Sequence, residues 1–316
     1  CVLGIGVAAE KICALAGAEK KWMKALVSSI ALQLVTLPVM LKFFGEVSLA
    51  GFFLNLLVLP SVGFVLMGGM AALLLGIFSI SAAKLVILPA RGLLLFYEYL
   101  CSLAGKLRWS TWIGGEPEIW QILVYYGILI TVLFIGQYVK IQIRKEKESS
   151  QRKEISGEQE KAVRWKLCTL RMASGALLIA GILILGFHPA GDLKVTCLDV
   201  GQGDGILVET PDNHHFLIDG GSSSQSDLGR YCLLPALKSQ GISYLDGIFI
   251  SHTDKDHISG VKELLEYMGN GLTTIRAEYL VLPSWAEKPE AWEELSDAAQ
   301  KAGIKVVTGK KGDELH

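Results

Sequence analysis

Long apolar runs before Pro189 constrain this chain more than any other feature. A helix crosses a bilayer core of about 30 Å with roughly 20 apolar residues. Residues 25–44 ("ALVSSIALQLVTLPVMLKFF"), 84–104 and 119–140 each reach that length, and 172–188 ("MASGALLIAGILILGFH") is a shorter candidate. The run from Val47 to Ile80 is too long for one straight span. Pro60 and the glycines Gly63, Gly68 and Gly69 predict a break in it, and Asn55 places an amide in apolar surroundings. Residues 1–18 read as the tail of an earlier span. With 51% hydrophobic residues in 316, the composition points to a membrane protein.

Basic residues set the expected orientation. Ten Lys and Arg stand against five Glu between Lys140 and Arg171, and Lys20, Lys21 and Lys24 form a second cluster. The positive-inside rule puts both in the cytoplasm and predicts a basic loop over 141–171. Alternating the spans from there places "FFGEVS" and "KLRWSTWIGGEPE" outside. The segment after 188 then emerges on the outer face. Irregular backbone around Asn55 and Pro60 suits either a kinked packing helix or the lining of a conduit.

Residues 192–316 have a different pattern. "KVTCLDV", "GILVET" and "HFLID" read as strands, the last two joined at Pro211, Asp212 and Asn213. "YLDGIFIS", "AEYLVLP" and "IKVVTG" read as buried strands between helical patterns at 227–239, 258–268 and 288–302. Strand and helix alternation of this kind makes a layered α/β domain. The six cysteines (Cys1, Cys13, Cys101, Cys168, Cys197, Cys232) form no CxxC pair, so they are expected to be small buried hydrophobes. Both ends of the chain look cut, and no signal peptide is legible.

The densest chemistry is "SHTDKDHISGV", residues 251–261. It follows a buried strand and opens a helix, at the end of strands where α/β folds place ligands. His252, Asp254, Asp256 and His257 offer imidazole and carboxylate donors that suit zinc, manganese or iron. Alone, such a loop would be a solvated turn with a helix cap. The glycines Gly201, Gly203 and Gly205 of "LDVGQGDGILVET" likewise suit a tight hairpin, and no Lys–Ser/Thr pair follows them as a phosphate loop requires.

Together these elements carry a resemblance. "HTDKDH" resembles the metallo-β-lactamase-fold signature HxHxDH, with Asp254 where the second histidine usually stands. "FLIDGG", residues 216–221, resembles that superfamily's earlier motif, in which Asp219 ends a strand near the metals. A DVGQGD element, an IDGG element and an SHxDxDHxxG element after a polytopic region are similar to the ComEC family of competence DNA channels. "FFGEVSLAGFFLNLLVLPSVG", residues 43–63, resembles a stretch of that family's membrane domain.

The resemblance implies a fold, a function and a set of roles. The fold is a polytopic α-helical membrane domain followed by an α/β metallo-β-lactamase-like domain (αββα), truncated at both ends. Its parts are a channel domain (1–140), the basic loop (141–171), a final span (172–188) and the N-terminal part of the metal-dependent domain (192–316). The implied function is an inner-membrane channel that takes up single-stranded DNA during transformation, with an outer-face domain degrading the other strand. His252 and Asp254 would hold one divalent metal and Asp256 and His257 a second, in a manganese or zinc site. Asp256 would also orient the attacking water. Asp199, Gln202, Asp204 and Asp219 would support those ligands or touch substrate, and Asn55 and Pro60 would line the channel. Implied partners are DNA, membrane lipid, a DNA receptor, a cytoplasmic motor and further copies of the chain.

One property runs against that reading. Residues 192–316 hold 11 basic and 20 acidic residues, a net charge of −9, whereas nucleic-acid surfaces are basic. Two other readings therefore stay open: a membrane-anchored hydrolase of another ester, and a channel whose soluble domain is not catalytic.

Overall fold

A computed structural model describes residues 8–313, except 19, 106, 108, 152–156, 190, 285–288 and 311. The chain divides into two compact units. The first comprises residues 1–40, 48–103 and 117–187; the second comprises 41–47, 104–116 and 188–316.

The first unit is helical: α1 (Ala9–Ala16), α2 (Lys21–Phe44, whose residues from 41 on fall to the second unit), α3 (Ala50–Gly76), α4 (Ile80–Gly105, whose last two residues do likewise), α5 (Ile119–Gln151) and α6 (Gly157–Leu185). Among the described residues, four helical spans are long and apolar enough to cross a membrane: Lys21–Phe44, Ile80–Gly105, Ile119–Glu146 and Lys161–Leu185. The expected break in the remaining run is present, because Ala50–Val58 and Pro60–Gly76 meet at 51°. Pro60 has no N–H to continue the ladder across that point. Large apolar side chains such as Phe64, Leu73 and Phe78 are exposed, which only an apolar solvent makes favourable.

Several polar groups inside the unit find partners. Pro38 lies within α2 and cannot bond the carbonyl four residues back, which leaves Leu34 O free. Tyr125 from α5 donates its hydroxyl to that oxygen at 2.7 Å, and Tyr126 donates to Val35 O at 3.0 Å. Gln121 donates to Ile184 O and Phe187 O at 2.7 and 2.8 Å, satisfying carbonyls at the end of α6.

The predicted basic loop is mostly helical. α5 runs on to Gln151 and α6 starts at Gly157, so only residues 152–156, outside the described set, separate the two helices. Lys, Arg, Glu and Gln are strong helix formers, and the polar turns simply extend the apolar ones. Arg164 of α6 reaches Glu146 of α5 at 3.7 Å.

The second unit holds two short strands, β1 (Glu46–Ser48, whose last residue falls to the first unit) and β2 (Thr111–Ile113), and a six-stranded sheet. The sheet strands are β3 (Lys194–Cys197), β4 (Ile206–Glu209), β5 (His215–Ile218), β6 (Tyr244–Phe249), β7 (Arg276–Pro283) and β8 (Lys305–Gly309), in that spatial order. β3, β4 and β5 pair antiparallel, and β5 to β8 pair parallel. Each parallel step needs a crossover. These are a π-turn at Gly229–Leu233 with α7 (Leu234–Ser239), then α8 (Lys255–Gly269), then α9 (Glu290–Lys301). Pro235 sits in the first turn of α7, where a missing N–H costs nothing.

Register aligns Leu207, Leu217, Ile248 and Leu280 in one row across the sheet, all fully buried. They share a core with Val261, Leu264 and Leu265 of α8 and Trp292 and Leu295 of α9. Ile113 of β2 belongs to the same core. Lys238 of α7 pairs with Glu46 at 2.7 Å, and Glu116 N donates to Ser239 O at 2.7 Å. The segments 41–47 and 104–116 are thus built into the sheet domain. The described cysteines depart from expectation: Cys101, Cys168 and Cys197 are exposed, and Cys13 and Cys232 are half-buried.

Candidate metal centre

The loop 250–254 leaves the carboxyl end of β6 and enters α8, beside the end of β5. Asp219 follows β5 in a left-handed conformation, φ 54°. Aspartate tolerates that region better than most residues, and here it turns the carboxylate onto the neighbouring loop. Asp219 N donates to Phe249 O at 2.8 Å. Its Oδ1 accepts from Ser251 N at 2.8 Å and its Oδ2 from Ser251 Oγ at 2.6 Å.

The same carboxylate fixes an imidazole. His257 Nδ1 lies 3.0 Å from Asp219 Oδ2, both residues being buried. His252 Nδ1 lies 3.0 Å from Ser251 Oγ. A carboxylate accepts only, so His257 Nδ1 carries its proton; the Ser251 hydroxyl gives its one hydrogen to Asp219, so its oxygen accepts from His252 Nδ1, and in the neutral rings each Nε2 presents a lone pair. The two rings lie 3.6 Å apart, centroid to centroid.

Donor atoms of His252, Asp256 and His257 all fall within 4.8 Å of one another. Asp256 Oδ2 is 3.8 Å from His257 Nε2, and Asp254 Oδ2 is 3.6 Å from His252 Nε2. Asp254 stands at the N-cap of α8, yet its side chain makes no capping bond. The plain helix-cap account of that carboxylate therefore fails. Lone pairs and carboxylates facing each other at this range repel unless a cation lies between them. Nitrogen and oxygen ligands about 2.1 Å from one ion stand roughly 3.0–3.4 Å apart, slightly closer than here. The residues fit a divalent metal. In the pattern that metal-binding histidines follow, the second nitrogen is held by a carboxylate or hydroxyl, as Asp219 and Ser251 do here.

The glycine hairpin supplies one more carboxylate. Asp204 Oδ2 is 3.6 Å from His257 Nε2. Asp204 N donates to Asp256 O and Asp204 O accepts from Gly221 N, each at 3.1 Å. A Cβ on Gly203 would meet Gly221 O at 2.2 Å and Asp256 O at 2.5 Å. Glycine is required for that approach. A Cβ on Gly221 would lie 2.5 Å from the backbone of His257.

The other residues singled out from sequence lie elsewhere. Gln202 acts through its backbone, donating from N to Ser224 Oγ at 2.9 Å and accepting at O from Ser223 N at 2.8 Å, while its side chain is exposed. Asp199 is exposed, and its carbonyl lies 3.6 Å from Cys232 Sγ. Asn55 is half-buried in α3, and Pro60 is exposed at its bend, in the other unit. Ser251 was missed as a functional residue. Its only signal is its place directly before His252.

Comparison with known proteins agrees with the two-unit architecture. A family model described as "Competence protein" matches residues 1–138, and one described as "Metallo-beta-lactamase superfamily" matches residues 198–315. The chain thus joins a region similar to competence proteins to one similar to the metallo-β-lactamase superfamily. Over 307 residues it is 25% identical to ComE operon protein 3 of Bacillus subtilis (strain 168), covering 92% of this chain and 35% of that protein. Over 91 residues it is 32% identical to competence protein ComA of Neisseria gonorrhoeae, covering 29% of this chain and 13% of that protein. The chain thus spans about a third or less of the curated relatives it matches. No solved structure matches. Apolar helices and these relatives make it a multi-pass membrane protein, and the metallo-β-lactamase domain implies divalent-metal binding.

Proposed function

We propose that this chain works in DNA uptake, its helical unit conducting one strand and its metallo-β-lactamase domain hydrolysing phosphodiester bonds of the other. The observation that carries the hydrolytic reading is the pair of imidazoles held through Nδ1, with both Nε2 atoms directed at Asp256 and its neighbours. His252 with Asp254 would hold one manganese or zinc ion, and His257 with Asp256 a second. A divalent cation there supplies Lewis acidity and a nucleophile at neutral pH. Asp256 orients the attacking water, Asp219 fixes the His257 tautomer, and Ser251 relays that constraint to His252. Asp204 stands on the His257 side of the cluster and completes its carboxylate wall.

The sheet domain is read as facing outward at the inner membrane. Segments 41–47 and 104–116 fold as one body with residues 188–313, so they share one side of the membrane. The basic ends of α2, α5 and α6 belong to the other side, which the positive-inside rule makes cytoplasmic. A DNA receptor and a cytoplasmic motor are the partners this arrangement calls for. The bend at Pro60 and the amide of Asn55 are read as part of the conduit. Asn55→Leu and Pro60→Ala variants, expressed normally, should transport DNA poorly; unchanged transport would move the pathway elsewhere.

The net charge of −9 over residues 192–316 favours a second reading, hydrolysis of another ester or phosphodiester at the same centre. Metal-analysed intact protein should be offered single- and double-stranded DNA beside a panel of small phosphodiesters and esters. Metal-dependent DNA cleavage is expected. Cleavage of the small esters alone would replace the nuclease reading with the second.

A further inference from the structure

Three cations in the helical unit occupy equivalent places in the sequence. Residues 25–41, 119–139 and 172–187 contain no Asp, Glu, Lys or Arg, and Lys24, Lys140 and Arg171 are the first charges at one end of each run. The fold gathers all three around a single cavity of about 700 Å³. Glu10 is the one acidic residue among the described residues of its lining, and Lys140 already pairs with it at 2.5 Å. Arg171 donates from Nη2 to Ala14 O at 3.2 Å, while its buried Nε has no acceptor among the described residues. Among the described residues, no carboxylate pairs with Lys24 or Arg171.

Among the described residues, two positive charges thus have no carboxylate partner in a cavity otherwise lined by small and apolar groups such as Ala9, Ala14 and Ile143. Like charges gathered this way repel unless an anion joins them. The depth of the cavity says which anion. The first charges beyond apolar spans lie at headgroup level, where Trp side chains also concentrate. Trp22, two residues before Lys24, and Trp165, six before Arg171, are 63% and 74% exposed. Basic cavities between spanning helices at this level suit anionic lipid headgroups.

We propose that the cavity lined by Lys24, Lys140 and Arg171 binds the phosphate of an anionic phospholipid, held there as a structural ligand of the helical unit. The apolar lining receives the glycerol and upper acyl groups, and Arg171 Nε donates to a phosphate oxygen. The assignment rests on the helices spanning a membrane and is independent of the metal centre.

The test uses intact protein, delipidated in detergent and re-equilibrated with vesicles of phosphatidylglycerol or of phosphatidylcholine. Lipid retained after washing is counted by native mass spectrometry. Preferential retention of phosphatidylglycerol is expected, weakened about fivefold for each cation removed in Lys24→Gln and Arg171→Gln. Arg171→Lys should restore much of it, showing that the loss is not unfolding. Lys161→Gln, an exposed cation outside the lining, should change nothing. Two further arms add inorganic phosphate or a short single-stranded oligonucleotide. Displacement by millimolar phosphate would make this a free-anion site, and displacement by the oligonucleotide would make it a nucleic-acid contact. Either outcome, or equal retention of the two lipids, overturns the proposal.

Discussion

Asp219 holds His257 by a 3.0 Å contact between Oδ2 and Nδ1, and that contact decides which nitrogen faces the candidate metal centre. Asp219→Asn offers an amide that can donate to Nδ1, which favours the tautomer with its proton on Nε2. Metal affinity is expected to fall about 10- to 100-fold. Titrating the apo-protein with manganese and zinc, with far-UV circular dichroism as the folding control, measures it. Unchanged affinity in a folded variant would remove Asp219 from the ligand-orienting role.

Asp256 is the candidate ligand whose loss should matter most, since its carboxylate faces both imidazoles. Asp256→Asn keeps the volume and removes the charge, so metal content and hydrolysis should drop together, the rate by about 10²–10⁴-fold. His252→Ala should weaken metal binding by removing a nitrogen donor. Lys255→Ala, on an exposed side chain at the start of α8, is the control and should be mild. Retained metal and cleavage in Asp256→Asn would reduce the loop to a turn.

Much of this architecture is written locally, which is why it could be read from the chain. Apolar run length marks the spans, Pro60 marks the bend in α3, and "SHTDKDH" needs only one strand end and one helix start to bring His252, Asp256 and His257 together. What could not be read depends on contacts distant in sequence or on a single dihedral. Nothing in "FFGEVS" or "KLRWSTWIGGEPE" announces that Glu46 meets Lys238 or that Ile113 enters the sheet core. The left-handed turn at Asp219 gives Ser251 its role. Helical continuation through the basic segment was obscured because topology and secondary structure are different questions. Charge sets the first and propensity the second.

Pro38 and Tyr125 offer a test of the helical unit by itself. The hydroxyl of Tyr125 satisfies a carbonyl that Pro38 cannot, 91 positions away in sequence. Tyr125→Phe should lower stability by about 0.6–1 kcal/mol, typical of hydrogen bonds between membrane helices. Tyr125→Phe in a Pro38→Ala background should cost less, because the substituted alanine supplies the missing N–H. Thermal unfolding of the four proteins in one detergent gives the coupling, and additive losses would show the two sites to be independent.

Orientation can be read by labelling. In a cysteine-free background, Ser223→Cys on the sheet domain should react with an impermeant maleimide in intact cells. Lys161→Cys should react only after lysis. The reversed pattern would place the metal centre in the cytoplasm and end the outer-face reading.

The last expectation concerns pH and a pair away from the metal centre. His214 Nδ1 lies 2.7 Å from Asp246 Oδ1, while the His215 amide donates to Asp246 Oδ2 at 2.7 Å, tying the β4–β5 turn to β6. The hydrogen bond and charge of Asp246 raise the His214 pKa above its usual 6.5. Burial pushes the Asp246 carboxyl up, but the bonds from His214 and the His215 amide outweigh it and leave the pKa below 3.8. A histidine with a raised folded-state pKa contributes stability that is fully present below about 6.5 and is lost as pH rises through the raised value. An aspartate with a depressed one contributes above about 3.9 and loses it as pH falls through the lowered value. The pair therefore works best between those limits. His214 is exposed, so the contribution is small and sensitive to salt. Histidine NMR should give a His214 midpoint above 6.5 that Asp246→Asn returns toward 6.5. A midpoint that ignores Asp246→Asn would mean the contact does not persist in solution.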